Sequence, residues 1–120
     1  MAASPTLTEA AIQKQIVDYV TTCVPSARIF AIPNAAPRKR GARAVNAVPG
    51  LTKGVPDLAM IAGRTTYWIE VKSARGKLSP EQREVIAWIG AQGSWAVVVR
   101  SLDDMRAALR LWRIKTREVV

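Results

Sequence analysis

The stretch from Val55 to Lys72 restricts the fold more than any other part of the chain. Two apolar runs, Val55 to Ala62 and Thr65 to Lys72, flank Gly63-Arg64. Two strand-like runs separated by two residues, one of them glycine, predict a β-hairpin. An isolated hairpin is marginal in water, so other elements must pack on it. The flanking sequence supplies them. Ser79-Pro80-Glu81-Gln82 opens a helix, with Ser at the N-cap, Pro in the first turn and Gln at the third position. The helix runs to about Gln92 and Gly93 ends it. Ser94 to Arg100 is a β-branched strand, expected at the centre of the sheet, and Ser101 caps a last helix through Trp112. Upstream, residues 8 to 22 read as an amphipathic helix. Thr6-Leu-Thr-Glu9 offers a capping box there, and Ile12, Ile16, Tyr19 and Val20 recur at helical spacing. Pro25 stops it, and Ala27 to Ile32 is a short strand closed by Pro33-Asn34. The order helix, three strands, helix, strand, helix predicts an α/β fold, a mixed sheet flanked by helices. The 120 residues carry no internal repeats and suit one domain over 1–120.

Histidine is absent, which excludes Ser-His-Asp and Cys-His catalysis and every site whose base or metal ligand is imidazole. Cys23 is the single cysteine, so neither an internal disulfide nor a cysteine-based zinc site is available. Chemistry must therefore come from carboxylates, Lys, Arg, Tyr or an oxygen-bound metal. Lys and Arg number 18 against 9 Asp and Glu, a formal charge of +9. An excess of that size favours a polyanionic partner, nucleic acid above all, over a merely solvated basic surface. No apolar run approaches the roughly 18 residues that span a bilayer. Met1-Ala-Ala-Ser-Pro-Thr lacks the pattern of a signal peptide, so a cytoplasmic setting is expected.

Residues 33 to 54 lack sustained periodicity and carry Arg38, Lys39, Arg40, Arg43 and Lys53 with no acidic residue. One-sign charge over a long loop predicts a phosphate-contacting arm, the alternative being a solvated loop. With Gly63-Arg64 as the turn, paired residues have numbers summing to 127, which sets Asp57 opposite Glu70. Opposed residues share a face, and Lys72, two residues beyond Glu70, shares it too. Two carboxylates held together repel unless a proton or a metal lies between them. Mg²⁺ takes oxygen ligands, keeps several waters and commonly uses one or two carboxylates. Lys72 would orient an attacking water or neutralise developing charge. Taken alone, Glu-x-Lys in a strand reads as a structural salt bridge, and a one-residue slip would separate Asp57 from Glu70.

Gly54-Val-Pro-Asp57, Ile69-Glu70-Val71-Lys72 and Leu78-Ser-Pro-Glu-Gln82 together resemble the PD-(D/E)xK nuclease superfamily. Within it they are most similar to the VRR-NUC group and its small stand-alone phage and bacterial members. The resemblance extends to Glu9-Ala-Ala-Ile-Gln13 and to Pro33-Asn34. It implies a restriction-endonuclease-like core and phosphodiester hydrolysis dependent on Mg²⁺ or Mn²⁺. By the same resemblance Asp57 and Glu70 bind metal with the backbone carbonyl of Val71, and Lys72 is the catalytic lysine. Glu9 reaches the metal site from the first helix, and Gln82 is an accessory site residue; a pure capping role accounts for Gln82 equally well. Similar stand-alone proteins are homodimers acting on branched DNA, four-way junctions included, and two-fold symmetry suits paired cuts on two strands. Arg75 and Lys77, in the loop after Lys72, are expected to meet phosphate. Trp68, Trp88, Trp95 and Trp112 read mainly as core residues with a contribution to an interface.

Three functions stand at this point. The first is a metal-dependent DNA endonuclease. The second is a nucleic-acid-binding module on a nuclease-like scaffold that does not cut, and the third a nuclease acting on RNA or free ends. The set Asp57, Glu70 and Lys72 favours cutting, because a pure binder has no use for carboxylates facing phosphate.

Overall fold

Cap chemistry and apolar period set the elements, which a computed structural model describes over residues 6–33 and 49–118. They are α1 (Glu9–Cys23), β1 (Ala27–Ala31), β2 (Leu58–Ala62), β3 (Thr65–Val71), α2 (Pro80–Ala91), β4 (Trp95–Val99) and α3 (Leu102–Leu111). The order and types are those expected. Residues 34–48, with Arg38, Lys39, Arg40 and Arg43, lie outside the described residues.

The sheet runs β1-β2-β3-β4. The β2–β3 hairpin is antiparallel with Leu58 opposite Ile69 and Ala62 opposite Thr65, the register expected from the turn. β1 pairs antiparallel with β2, and β4 pairs parallel with β3 through the crossover made by α2. Alternation then splits the sheet into two faces. Leu58, Met60, Ile69, Val71 and Val99 point to one face, where Ile12, Ile16 and Val20 of α1 and Met105 and Leu109 of α3 meet them in the apolar core. Truncating such a residue to alanine costs about 2–5 kcal/mol. Glu70 and Lys72 alternate with Ile69 and Val71 and therefore point to the opposite face, the α2 side.

Three expectations need correction. β4 lies at an edge of the described sheet and not at its centre. Its run of apolar residues is only half-buried: Val99 is in the core, while Trp95 is 50% exposed. A β-branched run signals a strand without saying how many neighbours it has. Of the tryptophans, Trp88 (63%) and Trp95 are exposed, and Trp112 packs on Tyr67 with ring centroids 4.3 Å apart. The second correction concerns β2, which begins at Leu58 and not at Val55. Pro56 has no N–H for a ladder, and Gly54 stands at φ 93°, outside strand geometry. The third concerns α1, whose N-cap is Thr8, accepting from the Ala11 N–H at 3.1 Å, in place of a Thr6–Glu9 box. Glu9 therefore opens the helix, and its carboxylate is free to reach elsewhere.

Candidate active site

The early end of β2 shapes the site. Asp57 still carries a ladder bond through its carbonyl, which accepts the Ile32 N–H at 2.8 Å. On the other side the ladder has stopped, and the Asp57 side chain stands in for the missing acceptor: Oδ2 takes the Val71 N–H at 2.8 Å. The carboxylate is thereby fixed beside the C-terminal end of β3. Gly54 anchors the arm leading to it. A Cβ there would lie 2.6 Å from the backbone of Glu81, so only glycine lets this arm pack on the first turn of α2. Lys53 pairs with Glu81 across the same contact at 3.1 Å, with both side chains exposed to solvent.

Glu70 is the centre of the cluster and is almost fully buried, at 1% exposure. Oε2 faces the Lys72 ammonium at 3.8 Å and accepts from Gln82 Nε2 at 3.1 Å. Oε1 is buried with no hydrogen-bond partner among the described residues. Lys72 is also buried, at 8%. Burial pushes the Glu70 carboxyl up to about 8, and the charge of the Asp57 carboxylate beside it adds to the rise. Lys72 opposes that shift, while Glu9 adds a smaller push in the upward direction. A lone structural salt bridge would leave both carboxylate oxygens engaged; here one is left over.

Gln82 performs two roles that the sequence offered as alternatives. Oε1 accepts the Ser79 N–H at 2.8 Å and completes the capping box, while Nε2 reaches Glu70. Capping orients the amide so that its donor end faces the site. Arg75 and Lys77 are exposed on the loop leaving Lys72. Glu9 approaches this loop: a Cβ on Gly76 would lie 3.2 Å from Glu9 Oε2. Its carboxylate is not gathered into one ligand set with the other two, because among the described residues no group of three or more Asp, Glu, Cys or His side chains is placed to hold a metal ion.

The donor set nevertheless fits one kind of ion. Two carboxylates, one with an unpartnered buried oxygen, suit a small hard divalent cation that completes its shell with water and substrate oxygens. They do not make a dedicated all-protein cage. Two features were beyond the sequence reading: the Asp57–Val71 bond, and Arg100, whose guanidinium donates to the carbonyls of Ser73 and Gly76. Arg100 carries no motif signal, since it follows an ordinary strand.

The model of the VRR-NUC domain matches residues 6–103. A solved structure described as a VRR_NUC domain protein has the same fold, with a TM-score of 0.64 at 22% identity over 88% of each chain. Comparison with curated proteins gives no match. The matched region runs from α1 into α3 and takes in Asp57, Glu70, Lys72 and Gln82, so the chain belongs to the VRR-NUC family of nuclease-type domains.

Proposed function

We propose that this protein is a metal-dependent DNA endonuclease acting as a single domain, with Asp57, Glu70 and Lys72 at its centre. The observation that carries the reading is the buried Glu70 Oε1, left without a hydrogen-bond partner among the described residues in a carboxyl that has Asp57 and Lys72 beside it. A fold gains nothing from an unmatched buried carboxylate oxygen unless a ligand completes it. Asp57 and Glu70 would hold Mg²⁺ or Mn²⁺, with the Val71 carbonyl alongside. When bound, such an ion supplies Lewis acidity that activates water and neutralises charge on the phosphate. Lys72, held in a nearly dry setting beside Glu70, would orient an attacking water or neutralise a developing oxyanion. Gln82 keeps Glu70 Oε2 oriented, Glu9 adds negative potential from α1, and Arg75, Lys77, Lys53 and the basic arm with Arg38, Lys39, Arg40 and Arg43 meet phosphates.

Branched DNA, four-way junctions among it, is the proposed substrate, cut by a homodimer in the cytoplasm. Support for the dimer comes from β4, an edge strand of the described sheet that carries exposed Trp95 and has exposed Leu111 of α3 beside it. An open edge beside large apolar side chains suits a second copy of the chain. No helix among the described residues is long and apolar enough to cross a membrane.

The test is cleavage of labelled duplex, splayed-arm and four-way-junction DNA, with single-stranded RNA alongside, in Mg²⁺, Mn²⁺ or EDTA. Metal-dependent cutting of a DNA arm, lost in Asp57→Ala, Glu70→Ala and Lys72→Ala with binding retained, is the expected result. Tight binding without cutting under any metal would replace this reading with that of a binding module. Light scattering across a concentration series checks the dimer, and a monomer at every concentration overturns it.

A further inference from the structure

Arg100 is the first residue past β4, and its surroundings are unlike those of a surface arginine. Its backbone N–H donates to Asp104 Oδ2 at 2.9 Å, tying it to the first turn of α3. Its half-buried side chain turns the other way. One nitrogen, Nη1, donates to the Ser73 carbonyl at 2.8 Å and to the Gly76 carbonyl at 2.7 Å. Those carbonyls belong to the turn that leaves the end of β3, closed by the Gly76 N–H donating to Ser73 O at 3.1 Å. The turn starts next to Lys72, whose N–H donates to Val99 O at 3.0 Å, one residue before Arg100.

We infer that Arg100 is a positioning residue of the proposed nuclease site: its guanidinium pins the Ser73–Gly76 turn and so fixes Glu9, Arg75 and Lys77 relative to Lys72. The physical case rests on three points. Two carbonyl dipoles aimed at one spot repel each other, and an arginine nitrogen with two hydrogens answers both at once. The pinned turn is also the surface against which Glu9 rests, since the space a Gly76 side chain would take is bounded by Glu9 Oε2 at 3.2 Å and Ser73 Oγ at 3.0 Å. Lastly, the turn carries exposed Arg75 and leads directly to Lys77, the cations nearest to Lys72 in sequence. With Nη1 engaged by both carbonyls, Arg100 acts on the site through this turn. A turn held from outside the site loses less order when DNA binds, and misplacement of about 1 Å can cost on the order of 100-fold in rate.

The inference rests on the nuclease reading, and its test separates the two. Amide hydrogen exchange and single-turnover DNA cleavage at saturating DNA and Mg²⁺ are compared in wild type, Arg100→Ala and Arg100→Lys. In Arg100→Ala, exchange across residues 73–78 is expected to rise about 10-fold or more, with residues 58–71 unchanged. Cleavage at saturating DNA should fall roughly 10- to 100-fold, with a smaller loss, several-fold, in DNA affinity measured in Ca²⁺. Arg100→Lys, which keeps a donor of shorter reach, should recover part of both, and it carries the test if the alanine variant does not fold. The cleavage loss should also fail to add to that of Glu9→Gln, since both would act on one arrangement. Unchanged exchange at 73–78, wild-type cleavage in a folded Arg100→Ala, or strict additivity with Glu9→Gln would each overturn the assignment. If wild type itself cuts no DNA, the nuclease reading falls, while exchange at 73–78 still decides whether Arg100 pins the turn.

Discussion

Two clusters in this molecule each set a glutamate against a basic side chain, to opposite effect. On the outer side of α3, Arg106 gives Glu118 two bonds, at 2.8 and 2.5 Å, and Tyr19 gives it a third at 2.6 Å. Both oxygens are engaged, and these bonds, Arg106 foremost, hold the Glu118 carboxyl below the usual carboxylate range. At the end of β3, Glu70 has a cation and an amide on one oxygen and no hydrogen-bond partner among the described residues on the other, and burial drives its carboxyl up to about 8. The first cluster is a finished surface network that ties the C-terminal segment to the helices. The second leaves a buried oxygen unmatched among the described residues, and that oxygen is the one the proposed metal ion would engage.

The comparison can be broken most forcefully at Lys72 and Glu70. Lys72→Ala and Glu70→Ala are expected to lower metal-dependent cleavage by on the order of 10³-fold or more, read as single-turnover rates. Loss of Arg106 in the surface cluster should leave cleavage within about twofold of wild type. A comparable collapse from Arg106→Ala would mean that the two clusters are not separate in function.

Stability should invert the ranking. The Glu70 carboxyl is raised in the folded state, so its contribution is fully present below the ordinary carboxylate pKa of about 4.5 and is lost as pH rises to about 8. Without divalent metal, Glu70→Gln should therefore stabilise the protein at pH 8 by on the order of a few kcal/mol, with little difference near pH 4. Melting curves with and without Mg²⁺ measure this, and Mg²⁺ should narrow the gap by favouring the ionised wild-type carboxylate. A variant less stable than wild type at pH 8 would show that Glu70 is structurally satisfied after all.

The scaffold beneath the buried cluster comes next. Gly54→Ala introduces a Cβ 2.6 Å from the Glu81 backbone at a position with φ 93°. Urea unfolding should register a loss of about 2–3 kcal/mol, as expected of strain at such a backbone position. Near-wild-type stability would show that the Asp57 arm can shift without penalty. The smallest effect belongs to Glu118→Gln, for which only a slight, salt-sensitive fall in melting temperature is expected.

Much of this was legible along the chain, for identifiable reasons. Gly63-Arg64 fixes a two-residue turn, so the register that sets Asp57 against Glu70 followed by counting. Ser79, Pro80 and Gln82 announce the start of α2 because the capping box is local chemistry. The place of β4 was not legible, since an apolar run reads alike at the centre or edge of a sheet. The Thr8 cap was missed because Thr6 and Thr8 both precede Glu9 within capping distance, and only the path of the chain entering α1 chooses between them. Of the phosphate-contact candidates, Arg38, Lys39, Arg40 and Arg43 lie outside the described residues, while Lys53 is found paired with Glu81.

The sequence by itself determined the elements, their order, the hairpin register and the residue types available for chemistry. Each of these depends on turn geometry, caps and apolar period, which act over a few residues. Tertiary structure alone decided that Glu70 is buried with one oxygen unmatched among the described residues, that Gln82 caps and reaches at once, and that Arg100 grips the turn after Lys72. Those depend on how much water is excluded and on which groups from distant segments arrive at the same point, and no local rule carries either quantity.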